Sequence, residues 1–210
     1  MIKKNIKTLI VTSIVTLIPI IIGLLLWDRL PDKIPFHWNI KGEVDNWVSK
    51  PVAVFAISPA MLALQWLCVI ATSTDPKKAN HSAKQLTLVF WLIPVLNAVL
   101  TAVTYTSALG TIVRIEAIVY VFLGLLFVII GNYLPKCKQS YTIGIRISWT
   151  LNSEENWNKT HRLAGWFWVV CGFIIMSCGF FNLWWVAISC FAVMAIVPII
   201  YSFVLYKKGI

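Results

Sequence analysis

The sequence predicts an all-α integral membrane protein: six transmembrane helices, N-terminus and C-terminus both inside, an ordered outer loop and a cytoplasmic amphipathic segment. Three observations predict it. Of 210 residues, 59% are hydrophobic and only 12% are charged, where soluble domains average roughly 25% charged. A soluble core of this size could not hide so much apolar surface. The charges also gather in short segments between long uncharged runs, and Lys and Arg favour alternate segments.

The runs are taken in order. A helix needs about 20 apolar residues to cross a bilayer. Thr8 to Trp27 and Pro51 to Thr74 supply the first two spans. Gln85 to Val113 holds the third, centred on Leu86–Leu109, and Ala117 to Leu134 is the fourth. Leu163 to Tyr206 is uncharged over about twice a bilayer's thickness, so it folds back on itself. Gly179-Phe180-Phe181-Asn182 is the natural turn. The first run follows a short basic start, but Trp27 to Pro31 lacks a small-residue cleavage site. It is read as an uncleaved helix.

Charge sets the orientation. The N-terminus, the second and fourth connections and the C-terminus carry thirteen of the eighteen Lys and Arg residues. In a six-span chain these four segments share one side, which the positive-inside rule makes cytoplasmic. The net charge of +10 is accounted for by topology and anionic headgroups rather than by direct nucleic-acid binding. The sequence divides into an N-terminal domain, 1–74, with two spans and the outer loop 28–50, and a C-terminal domain, 75–210, with four spans and the cytoplasmic motif loop 135–162.

In the outer loop, Pro31 and Pro35 stop the helix and favour extended backbone. Ile40-Lys41-Gly42 should turn, with Gly42 free to take positive φ. Phe36, Trp38 and Trp47 alternate with polar residues. The segment is longer than joining two neighbouring helices requires, so it is read as a compact lid presenting a binding surface. In the inner segment, Tyr141 to Trp149 alternates Ile143, Ile145 and Ile147 with polar residues, the pattern of a short strand or an extended re-entrant stretch. Asn152 or Ser153 can then cap a helix whose first turn holds Glu154 and Glu155. On that helix Glu155, Lys159 and Arg162 share one face, and Trp157, His161 and Trp168 another. It should lie along the inner surface before entering the fifth span.

Catalytic and metal chemistry find little support. His37, His81 and His161 fall in three different segments, and the Cys residues sit singly in apolar runs or beside lysines, so no metal or other cofactor is expected. No GxSxG, HExxH or GxxxxGK[ST] motif occurs, and the chain is not read as an enzyme. No ionisable residue lies mid-span, which disfavours an ion-coupled pump. Gln65 and Asn97, deep in spans, should hydrogen-bond between helices. The glycines at 124, 131, 172 and 179 should allow close helix packing.

Two stretches carry a family resemblance. IPFHWNIKGEVDNWVSK, in 34–50, resembles the N-terminal domain of unknown function that often precedes the SdpI domain. GNYLPKCKQSYTIGIRISWTLNSEENWNKTHRLAGWFW, in 131–168, resembles the SdpI-domain signature, with an IGIR-x-x-WTL core followed by EE-x-W-x-x-x-H-R-x-A-G. Ile147-Ser148 stand where such proteins commonly have Thr-Pro. The resemblance implies a multi-pass immunity protein of the bacterial cytoplasmic membrane, protecting its cell from a secreted membrane-active peptide toxin of the sporulation-delaying type. It also implies a receptor role, in which the protein holds a small transcriptional repressor at the membrane. The expected partners are thus peptide toxin, a cytoplasmic repressor and membrane lipid. The expected outer contact residues are Pro35, His37, Trp38, Asn39, Gly42, Asp45 and Lys50. The expected cytoplasmic motif residues are Gly144, Arg146, Trp149, Asn152, Glu154, Glu155, Trp157, His161 and Arg162, with Arg146 and Glu155 able to pair. The alternative is a small-molecule or lipid transporter of flippase type. A headgroup-level enzyme using His161 with Glu154 or Glu155 would lack a nucleophile.

Overall fold

The computed structural model describes residues 2–39, 42–111, 114–181 and 183–210. Its elements are α1 (Ile6–Leu25), β1 (Lys33–Trp38), β2 (Val44–Ser49), α2 (Lys50–Phe55), α3 (Ile57–Ser73), α4 (Ala83–Ala108), α5 (Ile115–Tyr133), α6 (Ser148–Asn152), α7 (Glu154–Phe181) and α8 (Trp184–Lys207). Among the described residues six helices are long and apolar enough to cross a membrane, with α2 and α3 together forming the second. The protein is an all-α, multi-pass protein of the cell membrane. Among the described residues the one sheet is the two-stranded β1–β2 hairpin.

The chain packs as two compact units. The first combines Met1–Ser73 with Leu86–Ile115, the second Thr74–Gln85 with Glu116–Ile210. Each unit draws on two stretches of sequence.

In the first unit polar side chains link helices where no water can. Thr16 donates to Gln65 Oε1 at 2.8 Å and Gln65 Nε2 donates to Thr12 Oγ1 at 2.7 Å. Asn97 Nδ2 reaches the Thr16 carbonyl at 2.8 Å and Ser58 Oγ at 3.1 Å. Gln65 Nε2 also lies 3.4 Å from the Phe90 carbonyl. Pro94, four residues on, has no N–H to serve that carbonyl. The expected role of Gln65 and Asn97 is therefore realised. Leu30, Ile34, Ala53, Val54 and Tyr105 form the core beneath the hairpin.

In the second unit glycine sets the spacing of α5 and α7. A methyl group at Gly124 would stand 2.5 Å from the Gly172 carbonyl oxygen, and one at Gly131 2.9 Å from that of Gly165. Cys171, Cys178 and Cys190 pack with Ile175, Ala187 and Met194 as small apolar residues. Trp168 Nε1 donates to the Met194 carbonyl at 3.2 Å, which Pro198 leaves without its helical partner.

The outer segment, expected as an ordered loop with extended backbone and a turn near Gly42, is the β1–β2 hairpin. Three expectations need correction. Residues 141–147 form neither helix nor strand, because their polar atoms bond to side chains instead of a neighbouring strand. No separate surface helix precedes the fifth span: α7 runs unbroken from Glu154, with Trp157 and His161 buried. Gly179, Phe180 and Phe181 are helical, and Gly179 instead packs its bare Cα side against Ala117. The remaining member of that expected turn, Asn182, lies outside the described residues, as do Ile40 and Lys41.

Candidate functional site

The hairpin grows from the end of α1. β1 and β2 pair antiparallel from Lys33↔Ser49 to Trp38↔Val44, with register shifts on both sides of His37. Such bulges turn side chains from strict alternation. Its inward residues, Ile34 and Val48, join the core, and Pro35 is buried in β1. His37 Nδ1 meets Asp45 Oδ1 at 2.5 Å on the exposed surface. Asn39 holds the turn: Nδ2 donates to Glu43 Oε2, Oδ1 accepts from the Glu43 amide, and its carbonyl accepts from the Gly42 amide. Gly42 has φ of 78°, a conformation that suits glycine. Trp38 Nε1 is buried without a hydrogen-bond partner among the described residues. Lys50, at the hairpin base, donates to the Trp27 carbonyl at 3.2 Å and lies 3.6 Å from Asp32. Of the expected outer residues, His37 with Asp45 and Asn39 with Gly42 are brought together; Pro35 and Lys50 are structural.

Both hairpin edges are blunted. Pro35 removes a donor from β1, and the Trp47 amide is taken by the neighbouring Asn46 side chain at 2.8 Å. What the hairpin offers is side-chain surface, with Phe36 47% and Trp47 50% exposed.

The motif loop belongs to the second unit, and its centre is α7. Ser153 Oγ accepts from the Asn156 amide and caps that helix. Trp157 and His161, one turn apart, are fully buried and stack at 4.0 Å. Trp157 Nε1 donates to the Cys137 carbonyl at 2.7 Å. His161 Nε2 accepts from the Ile145 amide at 2.9 Å, so the ring proton sits on Nδ1, which faces the Trp157 carbonyl at 2.8 Å. Gly144, at φ of 117°, lies directly over this stack. Trp149 packs on Phe203 and Tyr206 of α8.

The charged motif residues stay at the surface. Arg146 donates to the Tyr141 carbonyl at 2.6 Å, and Glu155 pairs with Lys159 at 2.8 Å. The expected Arg146–Glu155 pair is therefore not formed, since each has a nearer partner. Asn152, Glu154 and Arg162 are exposed.

Sequence reasoning missed the residues that hold this loop from outside it. Asp75, between α3 and α4, receives Ser140 Oγ and Thr142 Oγ1 at 2.7 Å and the amides of Tyr141 and Thr142 at 3.0 and 2.9 Å, all on Oδ2. Its Oδ1 accepts from the Lys77 amide at 2.7 Å. Burial alone would raise the Asp75 pKa; the bonds from Thr142, Ser140, Lys77 and Tyr141 overcome it and hold the carboxyl well below the usual range. Asn80 donates to the Gln139 carbonyl, Lys77 Nζ to Gln139 Oε1, and His81 Nε2 sits 2.9 Å from Ser140 Oγ. Asn156 ties α7 to α8, donating to the Ser202 carbonyl and accepting from Ser202 Oγ. The one signal available was an acidic residue alone among three lysines.

Asp75, His81 and Ser140 are the residue types of a hydrolytic triad, but their order is wrong. The carboxylate binds the serine directly, His81 Nδ1 has no partner among the described residues, and Ser140 is 1% exposed.

Comparison with known proteins fits this geometry. Residues 136–202 match the SdpI/YfhL protein family. Residues 14–62, which include β1 and β2, match a domain of unknown function, DUF1648. The chain is 31% identical over 182 residues to Immunity protein SdpI of Bacillus subtilis (strain 168), covering 86% of this chain and 83% of that one. No solved structure gives a significant match. With near full-length similarity and both signature regions in place, the chain belongs to the SdpI/YfhL protein family.

Proposed function

We propose that this protein is a membrane immunity protein, protecting its cell from a secreted, membrane-active peptide toxin. The observation that carries the reading is the similarity to Immunity protein SdpI along most of both chains. In this reading the termini and the motif loop face the cytoplasm, as the Lys and Arg distribution favours. The hairpin then faces outward, where a secreted peptide arrives. Its exposed Phe36 and Trp47, beside the His37–Asp45 pair, suit an amphipathic peptide better than a bare strand edge would. Residues 1–74 and 75–210 act as an outer-contact domain and an inner-motif domain. The buried Gly144–Trp157–His161 stack locks the inner loop, and exposed Arg146, Glu154 and Arg162 around it offer a surface on which a cytoplasmic repressor docks.

The test is expression in a toxin-sensitive bacterium challenged with the peptide. Survival and membrane potential should hold in expressing cells and collapse in controls. Equal killing of both would end the immunity reading. Docking is tested apart from protection, by whether a repressor-like protein moves to the membrane when toxin is added and stays dispersed in an Arg146→Ala, Arg162→Ala variant. A second reading, lipid or small-molecule transport, draws on an apolar groove of about 300 Å³ between α1 and α4, lined by Ile18, Pro19, Ala98, Ala102 and Tyr105 among others. Flux of labelled lipid across reconstituted vesicles would favour it.

A further inference from the structure

The motif loop holds the segment joining α3 to α4 at several points, and the Asp75 carboxylate gathers four of the bonds. We propose that residues 139–142, with the Lys77 amide, form a carboxylate receptor whose resident ligand is Asp75, and that an emptied receptor takes up a free small carboxylate. Two successive amides, Tyr141 and Thr142, converge with the hydroxyls of Ser140 and Thr142 on one oxygen. Converging backbone N–H groups of this kind make an anion-binding concavity. The Asp75 side chain is fully buried, and a buried charge persists only where donors replace water. The donors come from residues 140–142 and 77, on two distant stretches of chain, and the carboxylate bonds to both.

His81 supplies an independent sign. Its side chain is 2% exposed and its Nε2 lies 3.3 Å from Asp75 Oδ2. Its Nδ1 is buried with no partner among the described residues. The ring's polar contacts therefore all lie on the Nε2 side, toward Asp75 and the Ser140 and Thr142 hydroxyls. Lys77 reinforces the same point, its amide on Asp75 and its ammonium on Gln139.

Emptying the receptor tests this. In detergent, Asp75→Ala should lower Tm by about 5–10 °C, and formate should restore at least half of that loss. Chloride at the same ionic strength should restore none. Asp75→Asn fills the space with an amide and should show no formate response. Adding Ser140→Ala and Thr142→Val to Asp75→Ala should abolish the rescue. No rescue of Asp75→Ala, or equal rescue by chloride, overturns the proposal. Should Asp75→Ala yield no folded protein, Thr142→Val in the presence of Asp75 carries the test by hydrogen exchange. The Tyr141 and Thr142 amides should exchange about tenfold faster, as expected when a bond worth about 1.4 kcal/mol is lost; unchanged rates for both overturn it.

Discussion

A methyl group added at Gly144 would stand 2.6 Å from His161 Nε2 and 2.8 Å from the Trp157 ring. Both rings are fully buried and fixed by bonds to backbone groups, so neither can retreat cheaply. The φ of 117° adds strain for any L side chain. Gly144→Ala should therefore destabilise the protein by about 2–4 kcal/mol, read as a lower thermal midpoint in detergent. Arg146→Ala, two residues on and exposed, should change stability by no more than about 0.5 kcal/mol. The two substitutions together separate the loop's shape from its charge. Asp75 gives a pH signature. Its carboxyl titrates lower in the folded protein than in the unfolded chain, so its contribution is complete above the unfolded value near 4. That contribution fades as pH falls below 4 toward the folded value. A pH series of thermal midpoints should show this acid-side loss in the parent protein and not in Asp75→Asn, which has no carboxyl to titrate.

At the scale of elements, the helices were legible and the hairpin only in part. Long uncharged runs announce spans because the bilayer sets their length. For β1 and β2 the extended backbone and the turn were legible, but the pairing register, with its shifts around His37, was not, because no sequence period encodes a bulge. Residues 141–147 mislead: Ile143, Ile145 and Ile147 alternate as in a strand, yet the amides of Tyr141 and Thr142 bond to Asp75 and that of Ile145 to His161. Asp75 itself was illegible, since its partners lie 65 to 67 residues away in sequence and sequence periodicity reports only near neighbours. Trp157 and His161 were correctly placed on one helical face, though not in the interior. The exposed hairpin surface yields a separate prediction. Phe36→Ser with Trp47→Ser should leave the thermal midpoint within about 2 °C, as exposed positions usually do, while reducing survival under toxin several-fold. Unaltered survival would remove this face from the contact surface.

At the scale of the molecule, orientation is open to direct measurement. Cysteines placed at Asp45 and Lys138 should behave oppositely toward a membrane-impermeant maleimide in intact cells. Asp45→Cys should label at once, and Lys138→Cys only after permeabilisation. The reverse pattern would invert the protein and put the motif loop, rather than the hairpin, within reach of a secreted peptide. Within the first unit α4 shares buried hydrogen bonds with α1 and α3, partners that lie distant in sequence. Those same bonds bear on biogenesis. During synthesis α4 emerges with Pro94 inside it, so the Phe90 carbonyl enters the bilayer lacking its usual helical donor, and hydrocarbon offers none. Gln65, already synthesised on α3, carries the amide that reaches it. The second span is thus suited to meet the third as it enters the bilayer, covering a carbonyl that the third would otherwise carry bare into lipid.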